Sequence, residues 1–188
     1  LCCVWSRVRA AWNRVGIKAF GLRVAEPHHD GTPHWHMVLW FEDGQADQAM
    51  EIYEAHACHE DNEELEEAKG GNAIRFKAIT IDPDQGSATG YIVKYVSKNI
   101  DGNLEFDHER DFGDPVEMAA RIEAWASVWG IRQFQQIGGP SVTVWRELRR
   151  LKEVESITHE EFEAIRKAAD DGDWQAFCSL MGGPLADR

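Results

Sequence analysis

The feature that most restricts the fold is a pair of strand-like segments separated by a dense turn signal. Residues 17–25 alternate between apolar and polar side chains with the period of two that is typical of a strand, and residues 34–41 form a second strand-like run. Residues 26–33 between them contain two prolines and an Asp-Gly pair, which favour a turn. Two strands joined over so short a distance normally pair antiparallel, so the sequence predicts a hairpin over residues 17–41.

The remaining segments mix helical and strand-like patterns. Two further strands are predicted at residues 74–81 and 131–137. Helices are predicted at residues 1–14, 45–57, 60–69, 87–99, 115–129, 142–153, 158–169 and 173–181. Strands in hairpins separated by helices predict an α+β fold, in which helices flank a central antiparallel sheet and further helices lie at the C-terminal end.

The composition of the 188-residue chain is that of a globular protein, with 43% hydrophobic and 28% charged residues. No apolar run approaches the roughly 18 residues of a membrane-spanning helix, and the first residues do not follow the pattern of a signal peptide, so no membrane partner is expected. Four cysteines without a CxxC motif favour a reducing, cytoplasmic compartment.

The net charge of −13 counts against a nucleic-acid binder, because phosphate contacts need lysine and arginine. The acidic residues are concentrated in residues 51–67 and 153–173, however, whereas residues 7–23 and 132–152 are net basic. The local field decides where a phosphate can bind. The total charge therefore weakens the case for a nucleic-acid partner without excluding it.

A candidate metal site is formed by His34 and His36 on the second predicted strand. Residues two apart on a strand point to the same face, so the two imidazoles can chelate one divalent ion, while Trp35 points to the opposite face. If residues 26–33 cross the hairpin turn, Glu26 ends the first strand beside His34. A carboxylate with two imidazoles suits Mg²⁺ or Mn²⁺ and a phosphate substrate. The turn residues His28 and His29 are rival third ligands, and two half-exposed strand histidines without a metal are the alternative interpretation.

A candidate nucleophile site is formed by Tyr91 and Tyr95. On the predicted helix these residues are four apart and present two phenols on one face, and Lys94 and Lys98 form a second such pair. A phenol can act as a nucleophile, and a nearby lysine can favour the phenolate or offset charge in the transition state. The alternative is two tyrosines that flank the core of an amphipathic helix. A third group, His56, Cys58 and His59, has no partner at a recognisable spacing, so a metal role is not expected there.

Three stretches together resemble the HUH endonucleases, and within these the replication gene A proteins of temperate tailed phages. Residues 21–36 are similar to the metal motif of that family with its preceding strand, and residues 90–102 are similar to its two-tyrosine motif. The segments 131–139 and 144–150 resemble the region that follows in the family. The resemblance spans most of residues 1–150.

The resemblance implies that His34 and His36 are metal ligands with Glu26 as the third, and that Tyr91 and Tyr95 are nucleophiles. One tyrosine would attack the phosphate of a single-stranded DNA origin, which leaves a 5′-phosphotyrosine link and a free 3′-OH for rolling-circle replication. The second tyrosine would cut again after a round of synthesis. In the family fold the metal hairpin lies at the middle of the sheet, beside the tyrosine helix.

The chain departs from the family in one respect, because the family's early strand motif is not found ahead of the first helix. We therefore expect residues 1–152 to form an HUH endonuclease domain that lacks its first strand, and residues 153–188 to form a C-terminal helical extension. The expected partners are single-stranded DNA at a replication origin and a host helicase, and the expected state is a monomer in the cytoplasm of a bacterial host. A metal-dependent phosphodiesterase that uses water, and a non-catalytic single-stranded DNA-binding module, remain the alternatives.

Overall fold

A computed structural model describes residues 1–60, 62–67, 70–82, 84, 87–88, 90–93, 96, 115–151 and 159–186. The elements in chain order are α1 (Cys2–Arg14), β1 (Ala19–Pro27), β2 (Pro33–Phe41), α2 (Ala46–Ala57), α3 (Asn62–Glu67), a 3-10 helix (Gly71–Ile74), α4 (Pro115–Val128), β3 (Phe134–Ile137), α5 (Val142–Leu148), α6 (Glu160–Asp170) and α7 (Trp174–Leu180). Residues 88, 90–93 and 96 are also helical. The predicted α+β class is confirmed.

The chain divides into two compact units, residues 1–135 and residues 136–188, so that the division falls within β3. The predicted boundary between a nuclease domain and an extension, after residue 152, lies outside the described residues and stays a prediction. Within the part of the chain that is described, no helix is long and apolar enough to cross a membrane.

The predicted hairpin is confirmed. Strands β1 and β2 pair antiparallel over nine consecutive positions, from Ala19 opposite Phe41 to Pro27 opposite Pro33. The sheet order is β2-β1-β3, which places β1 in the middle of the three described strands. Strand β1 begins at Ala19 rather than at residue 17, because the backbone N–H of Ile17 still donates to the Trp12 carbonyl at the end of α1.

Aromatic residues from α1 and α2 cover one face of the hairpin. The buried Trp12 lies edge-on to Phe41 of β2, with ring centroids 5.5 Å apart, and its indole N–H donates to the carbonyl of Ala49 in α2. Tyr53 of α2 donates its hydroxyl to the sulfur of Met37 on the same strand, and its burial raises its pKa to about 12. The core formed by α1, α2 and the hairpin therefore lies on the face of the sheet that carries Met37 and Phe41.

The strand predicted at residues 74–81 is wrong. The segment begins in the 3-10 helix and continues without regular secondary structure. Only Phe76 packs inward, with its ring centroid 5.0 Å from that of Tyr53. The isoleucines are exposed instead: Ile74, Ile79 and Ile81. Alternation predicts a strand only where a neighbour takes up the backbone hydrogen bonds, and the sheet of the described residues contains no strand paired with this segment.

The second unit contains the predicted C-terminal helices around an aromatic cluster. Phe177 of α7 is fully buried, and its ring centroid lies 4.9 Å from Trp145 of α5 and 5.3 Å from Trp174. Two small residues of α6, Ala168 and Ala169, let the helices pack closely against this cluster. The buried side chains of α5, α6 and α7 thus account for the compactness of residues 136–188.

Candidate functional site

The hairpin register brings the predicted metal ligands together on one face. Glu26 on β1 is directly opposite His34 on β2, and Val24 is opposite His36. Directly opposed residues of an antiparallel pair share a face, so the carboxylate and both imidazoles lie on the same side of the sheet. The His34 and His36 ring centroids are 4.6 Å apart, and His36 Nε2 lies 3.5 Å from Glu26 Oε2. The prediction that Glu26 ends beside His34 is confirmed in its geometry.

The Glu26 carboxylate is enclosed although it lies at a strand end, since the residue is only 6% exposed. A buried carboxylate is costly unless it has a partner, and His36 provides one. A carboxylate and an imidazole are donors that Mg²⁺ or Mn²⁺ accepts, so Glu26 and His36 are the two neighbouring side chains that would hold such an ion. As the side chains stand, no group of three acidic, histidine or cysteine residues within the described part of the chain is arranged to hold a metal.

Short hydrogen bonds close the turn between the two strands. The N–H of His28 donates to the Thr32 carbonyl at 2.8 Å, and the N–H of Gly31 donates to the His28 carbonyl at 2.9 Å. The Asp30 carboxylate accepts from the N–H of Thr32 at 2.9 Å, a bond that also lowers the pKa of that carboxyl. Both turn histidines are exposed, and the His28 ring lies 4.6 Å from the His34 ring. Of the two rival ligands in the turn, His28 is therefore the one packed against the strand histidines.

Helix α4 holds this turn through a residue that the sequence did not single out. Trp125 donates its indole N–H to the carbonyl oxygen of Gly31 at 2.9 Å, across 94 positions of sequence. In the sequence Trp125 is one apolar residue of an amphipathic helix, and nothing local signals the contact. The bond ties the hairpin turn to α4.

A buried arginine lies beneath the histidines, on the opposite face of the sheet. The guanidinium of Arg23 sits 4.0 Å from the ring centroid of Trp35, the residue between the two histidines. Arg23 is only 7% exposed, burial lowers its pKa, and one of its nitrogens donates to the Arg132 carbonyl at 3.2 Å. Its Nε atom has no hydrogen-bond partner among the described residues. Trp35 thus points away from the histidines as predicted, and Arg23 packs on it.

The candidate nucleophiles are described only in part. Tyr91 is helical, its N–H donates to the Ser87 carbonyl at 3.1 Å, and its side chain is 38% exposed. Tyr95, Lys94 and Lys98 lie outside the described residues. The proximity of the two phenols, and of either phenol to the histidines, stays a prediction.

The third group of the sequence analysis borders an open acidic cavity of about 710 Å³ between α2 and the 3-10 helix. Cys58 is buried there, and burial raises the pKa of its thiol. Glu54 accepts a hydrogen bond from the side chain of Asn72 at 2.9 Å.

Sequence comparison finds close relatives over nearly the whole chain. The replication gene A protein of Escherichia phage 186 is 46% identical over 98% of this chain and 27% of its own length. That of Escherichia phage P2 is 45% identical over 100% of this chain and 25% of its own length. A probable replication endonuclease from a prophage-like region of Salmonella typhimurium is 34% identical over 96% of this chain and 24% of its own length. No solved structure matches the chain.

The chain spans about a quarter of the length of the curated relatives it matches. Residues 1–103, which include the whole hairpin and Tyr91, match the family described as bacteriophage replication gene A protein (GPA). This match covers more than half of the chain, and it agrees with the identities to the phage proteins. The chain therefore belongs to the bacteriophage replication gene A protein family.

Proposed function

We propose that this chain is the nicking segment of a phage or prophage replication initiator, which cuts single-stranded DNA through a tyrosine nucleophile. The observation that carries the proposal is the cluster of Glu26, His34 and His36 on one face of the hairpin. The names of the relatives, replication gene A protein and probable replication endonuclease, also support a nuclease that acts in replication. The natural substrate would be a replication origin, reached in the cytoplasm of a bacterial host.

Glu26, His34 and His36 would hold Mg²⁺ or Mn²⁺. A bound ion of this kind supplies Lewis-acid polarisation of the scissile phosphate. The role of the protein is to hold the donor side chains in place. Strand pairing sets their spacing, and Arg23 packed on Trp35 supports the histidine strand from the other face. Mixed carboxylate and imidazole donors leave room for a substrate oxygen.

In the proposed reaction the phenolic oxygen of Tyr91 or Tyr95 attacks the phosphorus atom. The phenol loses its proton, a new O–P bond forms, and the bond from phosphorus to the 3′-oxygen breaks. The 3′-oxygen takes up a proton, which leaves a free 3′-OH and a 5′-phosphotyrosine. Lys94 and Lys98 would offset the negative charge that develops on the phosphate. A second tyrosine permits a second transesterification that rejoins strands after synthesis.

The test is incubation of the chain with a single-stranded oligonucleotide that carries a 3′ label, in the presence of Mn²⁺. A denaturing gel should show a labelled protein–DNA adduct that chelator abolishes. Tyr91→Phe combined with Tyr95→Phe should abolish the adduct. Tyr53→Phe is the matched control, because Tyr53 of α2 packs against Trp12 of α1 and Met37 of β2 on the other face of the hairpin, and it should leave the adduct intact.

Other outcomes would favour the two alternatives. Cleavage at an unchanged rate by the double tyrosine variant, with no adduct, would mean that a water molecule attacks. A wild-type chain that binds the oligonucleotide without cutting it would be a binding module. Cleavage that is lost in His34→Ala while binding persists supports the catalytic role of the hairpin. Sizing of the free chain and of its DNA complex tests the expected monomer, and a pull-down with host helicase tests that partner.

A further inference from the structure

The face of the hairpin that carries Glu26 and the histidines also carries an aromatic pair at its other end. Phe20 on β1 is directly opposite Trp40 on β2. Their rings are stacked, with centroids 5.1 Å apart and planes inclined by only 14°. The register runs without a break from this pair to Glu26 opposite His34, so all four side chains project from one face.

This pair differs from the aromatic residues of the core. On the opposite face Trp12 meets Phe41 at 90° and Tyr53 at 81°, in the edge-on geometry of buried rings, and Trp12 is only 3% exposed. Trp40 instead lies nearly parallel to Phe20 and keeps 37% of its surface exposed. The exposed part of the Trp40 ring offers a flat aromatic surface on which a planar partner such as a base can stack.

The separation of the pair from the histidines suits a strand of nucleotides. Trp40 is four residues beyond His36 on the same strand, or about 13 Å at about 3.3 Å per residue. That distance corresponds to about four nucleotides of a stacked single strand at about 3.4 Å each, and to fewer if the strand is extended. DNA whose phosphate lies at the histidines could therefore reach Trp40 with a base a few nucleotides away.

We propose that Trp40, backed by Phe20, is a stacking platform for one base of the single-stranded DNA that the hairpin binds. The proposal rests on the proposed function for its ligand and adds a recognition site to it. A π-face is common to all bases, so the platform would contribute affinity and register without sequence preference. Stacking of one base on an aromatic side chain is worth about 5- to 150-fold in affinity.

The test is fluorescence anisotropy with a labelled dT12 oligonucleotide in chelator, so that binding is measured without cleavage. Trp40→Ala should weaken binding about 5- to 30-fold, and Trp40→Phe should recover most of the loss. Trp129→Ala is the matched control, because Trp129 is 72% exposed just beyond α4, and it should change the affinity less than about two-fold. If Trp40→Ala does not fold, Trp40→Leu keeps the apolar bulk without a ring and should show the same loss.

The dependence on salt separates stacking from electrostatic effects. The slope of log K against log salt reports phosphate contacts, so Trp40→Ala should lower affinity equally at all salt concentrations and leave the slope unchanged. An unchanged affinity, a changed slope or an equal loss in Trp129→Ala would each overturn the proposal. Failure of the proposed nicking mechanism would give a different result. No adduct would form with Mn²⁺, while the effect of Trp40→Ala on binding in chelator would remain.

Discussion

The hydrogen bond between Trp125 and Gly31 offers the sharpest test of how the site is held. Three of the four bonds described around the turn lie within residues 28–32, and only the indole bond of Trp125 connects the turn to α4. Trp125→Phe removes this donor and retains an aromatic ring. The substitution therefore removes this hydrogen bond between the turn and the helix and leaves the internal bonds of the turn in place.

The expected magnitude follows from the surroundings of the bond. Loss of an ordinary intramolecular hydrogen bond costs about 1 kcal/mol, because the carbonyl left behind can be solvated when it is not fully buried. Gly31 is half-buried, so we expect the free energy of unfolding to fall by about 1 kcal/mol. The free energy of Mn²⁺ binding can fall by no more than the free energy that this hydrogen bond contributes. The affinity for Mn²⁺ should therefore fall by at most about five-fold.

Urea unfolding followed by circular dichroism gives the stability, and the electron paramagnetic resonance signal of free Mn²⁺ gives the affinity. Trp129→Phe is the control, since the exposed Trp129 lies four residues further along the chain. Trp125→Phe should lower both quantities, and Trp129→Phe should lower neither. Equal behaviour of the two variants in both assays would refute the claim that α4 holds the hairpin turn.

Three other substitutions test the fold. Gly21→Ala should lower the free energy of unfolding measured in urea by about 2–3 kcal/mol, because a Cβ there would overlap the backbone carbonyl of Val38 on the paired strand. Arg166 donates two hydrogen bonds to Glu163 and lowers the pKa of that carboxyl, so its stabilisation is present above about pH 4.3 and is lost as pH falls through the lowered pKa. The urea midpoints of wild type and Glu163→Gln should therefore differ at pH 7, and the difference should shrink as the pH falls below about 4.3. Phe177→Ala should cost about 3–5 kcal/mol in the same assay, because the ring is fully buried.

Two of these substitutions have a matched control. Gly16→Ala should lower the free energy of unfolding by only about 1 kcal/mol, because no atom lies within 4 Å of the added Cβ, although Gly16 has φ +76°. Phe162→Ala on α6 removes a ring that is 40% exposed and should cost much less than Phe177→Ala. Equal losses within either pair, or a gap between Glu163→Gln and wild type that does not shrink as the pH falls below about 4.3, would contradict the reasoning.

The hairpin could be predicted to within two residues because its signals are local. Period-two alternation identifies strands, the prolines and the Asp-Gly pair favour the turn, and antiparallel pairing then sets the register. That register is sufficient to place Glu26 beside His34. The same kind of alternation at residues 74–81 led to a wrong prediction of a strand. A strand also needs a partner with free backbone groups, and the residues of the segment do not show whether such a partner exists.

The faces on which the side chains lie follow from the order of residues in the strands. Strand parity puts His34 and His36 together and Trp35 on the other side, since successive side chains of a strand alternate. The surroundings of these side chains depend on the fold. The packing of Arg23 on Trp35, the bond from Trp125 to Gly31 and the burial of Glu26 depend on contacts between distant segments. The local sequence pattern determines the side of a strand or helix to which each side chain points. Burial and anchoring depend instead on which elements pack together, and this packing is a property of the whole fold.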